Sequence, residues 1–226
     1  VLIFLDAGHG GKDSGAAANG IKEKDVTLDI CNRIQTGLKA YKDTEVLVSR
    51  STDVYVSLDE RTLAANRANA DLVLSIHCNA ATSPAANGFE SYVYTTPNAA
   101  TVAMQNVLHS EIMKALGTTI VDRGKQRKNL HMLRESKMKA ILTENLFVSN
   151  PKEAALLNDS EMRQRIATAH VLGLEKFLGL KKAAQPPPIP EKLWYVQMGA
   201  FAEKENADAL AADLMKQGYR PLVKYE

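Results

Sequence analysis

Four side chains in this 226-residue chain are suited to a single hydrolytic centre: His9, Glu23, His77 and Glu144. His9 stands in Asp6-Ala-Gly-His9-Gly-Gly11, a glycine-rich bend entered from the apolar run Val1-Leu-Ile-Phe-Leu5. His77 closes a second apolar run, Asp71-Leu-Val-Leu-Ser-Ile-His77, and Glu144 closes a third, Lys139-Ala-Ile-Leu-Thr143. Glu23 lies at the start of a helical pattern. Two imidazoles and a carboxylate form a donor set that holds catalytic zinc and leaves a fourth position for water. Bound zinc brings the pKa of that water to ~7 and polarises a carbonyl. A further carboxylate must carry the proton from water to a leaving amine. His9, Glu23 and His77 are therefore read as ligands and Glu144 as the general base and acid. Imidazole and oxygen donors also suit other divalent metals, so the residues alone leave the ion open. The plainer alternatives are an incidental histidine in a turn and an acid favoured by a helix dipole at Glu23.

The elements that would position these residues follow from patterning. Short apolar runs bounded by turn residues read as strands buried on both faces, which implies a sheet covered by helices. Neighbouring parallel strands would bring His9 and His77 to one sheet edge, where open α/β sheets carry their chemistry. Val26, Ile30, Ile34 and Leu38 give a one-sided helix, and Thr44–Ser49 a short strand. Ser57 with Glu60 forms a capping box for a helix from Leu58 to about Asn69. Gly88–Tyr94 alternates as a strand with one wetter face, and Asn98–Leu116 is a helix stopped by Gly117. The basic stretch Val121–His131 reads as a loop, solvated or holding an anionic substrate, with His131 a surface or packing residue. Asn150-Pro151 and Asp159 open the last two helices, and the periodicity stops near Leu180.

Composition narrows the field. With 45% hydrophobic and 24% charged residues the chain is globular rather than disordered. A net charge of +2 gives no ground for nucleic-acid binding. Cys31 and Cys78 do not make a disulfide scaffold and read as small buried hydrophobes. No apolar stretch reaches the length of a membrane span. The chain starts inside a strand without Met, so a leader or a few residues are expected to be missing. P-loop, GxGxxG and nucleophile-elbow patterns are absent from the sequence.

The runs Leu5–Gly11, Glu23–Leu28, Ser49–Asp53 with Ser57, Leu58 and Arg61, Ala70–Ala80 and Leu142–Asn150 resemble the zinc-dependent N-acetylmuramoyl-L-alanine amidases, in the family's order over residues 1–180. The resemblance implies an α/β fold of the amidase/phosphorylase type, a mainly parallel twisted sheet with helices on both faces. It implies zinc on His9, Glu23 and His77, Glu144 as the catalytic glutamate, and peptidoglycan as substrate. The bond cut would join the muramic acid lactyl group to the L-alanine of the stem peptide. Two departures are small: Leu146 stands where the family usually has glycine, and Cys78 where Ala or Val is common. Arg50 and Arg61 suggest no more than loop or helix anchoring.

Residues 181–190, with four prolines, read as a stiff extended linker. Beyond them Trp194–Phe201, a helix over Glu203–Gln217 and Gly218-Tyr219 resemble the first half of a SPOR module, a partial βαβ unit at 191–226. Such modules bind glycan strands, especially those stripped of stem peptides. The whole then reads as a monomeric autolysin of the cell wall, outside the cytoplasm, released on mother-cell lysis if its role is in sporulation. The competing readings are a wall-binding protein with an idle site and a zinc peptidase acting on another amide.

Overall fold

The first apolar run forms β1 (Leu2–Ala7), buried from Ile3 onward. A small hairpin, β2 (Ala17–Ala18) with β3 (Ile21–Lys22), lies in what patterning had as loop. It delivers the chain to α1 (Glu23–Leu38), which begins at Glu23 itself. Then come β4 (Glu45–Val48) and α2 (Leu58–Arg67), the latter closed by both hydrogen bonds of the Ser57–Glu60 capping box. β5 (Leu72–Asn79) runs two residues past His77. β6 (Phe89–Val93) precedes α3 (Ala99–Leu116), which is capped by the Asn98 side chain and ends at Gly117 with φ 83°. β7 (Asp122–Arg127), α4 (His131–Arg134) and β8 (Lys139–Phe147) follow. α5 (Pro151–Asn158) and α6 (Ser160–Leu178) are capped by Asn150 and Asp159.

This computed structural model describes residues 1–183, 198–219, 221 and 223. It divides into two compact units, Val1–Ala183 and Ala184–Glu226. In the second unit the expected helix is α7 (Lys204–Lys216), followed by Gly218 at φ 89°. Of the anticipated strands over 193–198 and 220–225, only Met198, Pro221 and Val223 fall within the described residues, as do only Lys181–Ala183 of the linker.

The six-stranded sheet has the order β4-β1-β5-β8-β6-β7. The first four strands are parallel, β6 is antiparallel to β8, and β7 is parallel to β6. The carboxyl ends of β1, β5 and β8 therefore share an edge with the amino ends of β6 and β7. Alternation along β1 and β5 sends Ile3, Leu5, Leu74 and Ile76 to one face and Phe4 and Val73 to the other. The first face packs under α1, α3 and α6, and the second receives Ala65 of α2 and Met132 and Leu133 of α4. Each of these large side chains contributes roughly 1.5–3 kcal/mol on burial, well above any strand propensity, so burial sets these strands.

The basic stretch is not a loop but the edge strand β7 followed by α4. Its polar sequence carries no apolar alternation because it pairs on one side only, and a buried histidine links it to the core. His109 of α3 lies 2.8 Å from Ser91 Oγ on β6 through Nδ1 and 2.9 Å from Asp122 Oδ1 through Nε2. Ser91 is fully buried, so this Ser-His-Asp chain is structural. The strand at Gly88–Tyr94 alternates as expected: Phe89, Ser91 and Val93 are fully buried, while on the other face Tyr92 and Tyr94 are half-buried and Glu90 is buried.

Beneath β8, His170 of α6 hydrogen-bonds the Ile166 carbonyl through Nδ1 (2.8 Å) and the Thr143 hydroxyl through Nε2 (3.0 Å). Complete burial pushes its pKa down to about 4. An unfolded histidine protonates near 6.5, so only the unfolded chain gains a proton as pH falls through that window. Stability is expected to be full above about pH 6.5 and to lose about 3 kcal/mol toward pH 4 from this residue. Urea unfolding at stepped pH should show a shallower decline in His170→Gln; parallel curves would contradict the assignment.

Candidate metal centre

The bend after β1 is held in a shape its sequence does not favour. His9 has φ 62°, a left-handed conformation that L-residues resist, and Gly10 and Gly11 follow at 131° and 55°. Two buried arginines hold it. Arg61 donates to Asp6 Oδ1 (2.7 Å), the Ala7 carbonyl (2.6 Å), the His9 carbonyl (2.6 Å) and the Val56 carbonyl (2.8 Å). Arg50 donates to the carbonyls of Ala7 (3.0 Å), Gly8 (2.9 Å) and Lys24 (2.7 Å). Asp6 receives a second bond from the Ser75 hydroxyl at 2.6 Å. Burial works against its charge, and Arg61 and Ser75 overcome this to hold the carboxyl below its usual range. Further out, Asp53 accepts from the Gly11 amide (2.7 Å) and pairs with Lys24 (2.5 Å).

The bend brings His9 to Glu23 and His77. His9 Nε2 lies 3.1 Å from Glu23 Oε2, and His77 Nδ1 lies 2.9 Å from Glu23 Oε1. One donor atom from each residue falls within 4.8 Å of the others, a spacing compatible with one metal ion. Glu23 also accepts from the amides of Ala16 (2.9 Å) and Cys78 (3.0 Å), which fix its carboxylate from both sides. His9 Nδ1 donates to Asp13 Oδ2 at 2.9 Å, leaving Nε2 facing the cluster. An outer carboxylate of this kind orients a ligating imidazole. Burial disfavours the Glu23 charge, but hydrogen bonds from His77 and His9 hold its carboxyl well below the usual range. Burial likewise opposes a charge on His77, and Glu23 prevails, raising it to about 9.

Glu144 reaches the same edge from β8, in register with His77 of β5 on one side and Glu90 of β6 on the other. It lies within β8 rather than at its end. Just beyond it the register to β5 shifts, so that Asn79 pairs with Phe147, and Leu146 takes φ 65°. A bulge there re-aims the strand's side chains, and the positive φ is the physical reason that glycine suits this position. Glu144 Oε2 is sealed from solvent and has no hydrogen-bond partner among the described residues. Burial raises this carboxyl to about 7, with His77 opposing and Glu23 and Glu90 reinforcing. The next residue, Asn145, donates to the His77 carbonyl (3.0 Å) and the Thr143 hydroxyl (3.1 Å), tying the two strands below the cluster.

All four residues singled out from sequence thus meet at one edge. Asp13, Asn145 and the carbonyl-holding roles of Arg50 and Arg61 escaped the sequence reading. Asp13, four residues beyond His9 in the same bend, was the one available signal. His131 stands apart, against Thr62 and Asp59. Cys31 and Cys78 are buried free thiols, as expected.

This architecture, with its matched relatives, is that of an enzyme hydrolysing amides of the bacterial cell wall. The chain belongs to the N-acetylmuramoyl-L-alanine amidase family, which residues 3–176 match, and residues 190–226 match the SPOR domain. It is similar to the sporulation-specific N-acetylmuramoyl-L-alanine amidase of Bacillus subtilis (strain 168), 44% identical over 99% of this chain and 84% of that protein. It is 45% identical to an endolysin of Bacillus phage SPP1, over 80% of this chain and 67% of that protein. Among solved structures, the catalytic domain of CwlV, an amidase from Bacillus (Paenibacillus) polymyxa var. colistinus, gives TM-score 0.75 at 35% identity, covering 80% of this chain and 99% of that one. The N-acetylmuramoyl-L-alanine amidase of Clostridium difficile 630 gives 0.76 at 32%, covering 79% and 96%.

Gly8 shows how tightly the cluster is enclosed. A Cβ there would lie 2.4 Å from Cε1 of His77, on a backbone that tolerates alanine. Gly8→Ala is therefore expected to push the imidazole aside. After reconstitution with Zn2+ and gel filtration, bound metal should fall well below the wild-type level while circular dichroism is unchanged. Wild-type metal content would show that the enclosure does not matter.

Proposed function

We propose that the chain cleaves the amide between the muramic acid lactyl group and L-alanine with a zinc ion held by His9, Glu23 and His77 and with Glu144 carrying the proton. Two imidazoles and one carboxylate converging within 4.8 Å suit zinc in a catalytic site and leave room for water. A bound zinc ion supplies an acidified water and a polarised amide carbonyl. The chain's residues supply the rest. Asp13 holds His9, the amides of Ala16 and Cys78 hold Glu23, and Asn145 fixes the His77 main chain. Glu144, with its pKa near 7, takes the proton of the attacking water at neutral pH and delivers it to the departing amine. The amine must leave protonated, because an amide anion is far too basic to depart unaided. The observation that carries this reading is the strand register of His77 with Glu144, one carboxylate oxygen of which is buried without a partner.

Domain roles follow: hydrolysis by residues 1–180, a spacer at 181–190, and attachment to glycan strands by 191–226, supported by the SPOR match. In this reading the chain acts as a monomer. The cell wall is the place of action, and no helix among the described residues is long and apolar enough to cross a membrane.

Glu144→Gln tests the assignment. Turnover on purified peptidoglycan, followed as new L-alanine amino termini, is expected to fall by about 10²–10⁴-fold with zinc retained. Near-wild-type turnover would give the proton transfer to another group. Release that survives exhaustive chelation would remove the metal from the mechanism.

A further inference from the structure

Past Glu144 the active edge continues onto β6 and β7, where the mechanism uses nothing. Glu90, the register partner of Glu144, is buried, and both its oxygens are engaged. Asn79 donates to Oε1, and Nε of Arg123 lies 3.4 Å from Oε2. The Arg123 guanidinium lies over the Phe147 ring, 5.0 Å from its centre. Gly88, at φ 115°, leaves room beside it: a Cβ there would come within 3.0 Å of Arg123 Cγ. The other nearby carboxylate, Glu153, already accepts from the amides of Gly88 and Phe147, both at 2.8 Å. Arg123 is thus anchored by one edge and one face. Its Nη1 and Nη2 have no acceptor among the described residues, and the side chain is 38% exposed. A planar fork held this way is arranged for bidentate recognition of a carboxylate.

We infer that Arg123 is a specificity-determining residue that receives the free α-carboxylate of the stem peptide's second residue. The inference rests on the reading that Glu144 delivers the proton to the leaving amine. His9, Glu23 and His77 lie on one side of Glu144, and β6 and β7 on the other. The acyl half of the substrate therefore faces the metal ligands, and the departing peptide extends toward Arg123. β7 is two strand spacings from β8, roughly 10 Å, and the arginine side chain reaches back to Glu90 across part of that distance. Two peptide residues span about 7 Å, which places the second residue, and no later one, at the guanidinium.

Two synthetic muramoyl peptides test this, identical except that the second residue's α-carboxyl is free in one and amidated in the other. Wild-type enzyme is expected to show kcat/KM higher for the free acid by on the order of tenfold to a hundredfold. Arg123→Gln should narrow that ratio to within about twofold, chiefly through KM, and Arg123→Lys, which keeps the charge but not the fork, should fall between. A wild-type enzyme indifferent to the carboxylate, or an Arg123→Gln variant that keeps the preference while losing both activities equally, would overturn the inference. Failure of the wild type to cleave either peptide would instead strike the functional reading beneath it.

Discussion

The site depends on a backbone bend that two buried arginines hold by its carbonyl groups. A left-handed residue at His9 costs about 1–2 kcal/mol. Each charge-assisted hydrogen bond returns about 1.5–3 kcal/mol, and Arg50 and Arg61 direct two donors to the Ala7 carbonyl and one each to those of Gly8 and His9. The balance therefore favours the bend. Asp6 sits at its base and partners Arg61, so the guanidinium is buried with a counter-charge as well as with acceptors. Gly8 and Gly15 then let the chain pass against the rings of His77 and His9, at distances that exclude any side chain.

Sheet topology completes the centre. Strands β1, β5 and β8 bring His9, His77 and Glu144 to the edge by their carboxyl ends, while reversed β6 and β7 bring Glu90 and Arg123 by their amino ends. Carboxylates on adjacent strands repel, and with burial this keeps a proton on Glu144 up to about pH 7. The same reversal divides the edge into a metal-binding side and a side where the leaving peptide can lie.

Much of this was legible in the sequence because burial and capping have local signatures. The three apolar runs read as strands covered on both faces, and Ser57 with Glu60, Asn150 with Pro151, and Asp159 announced helix starts that the structure shows. His9, Glu23, His77 and Glu144 could be picked out because each borders such a run or start. What stayed hidden depends on contacts distant in sequence. β7 owes its strand form to pairing with β6 and to His109, neither visible in a charged hexapeptide. The extension of β8 past Glu144 needs a bulge that a leucine at a positive φ disguises. Arginines that bond main-chain carbonyls leave no pattern at all, since every residue has a carbonyl.

The central claim is that His9, Glu23 and His77 together hold a zinc ion. X-ray absorption at the zinc edge on the reconstituted protein tests it most directly. The predicted spectrum has two imidazole nitrogens and one or two oxygens at about 2.0–2.2 Å with no sulfur, and each of His9→Ala and His77→Ala removes one imidazole contribution. A zinc environment containing sulfur, or one unchanged by both substitutions, would contradict the account.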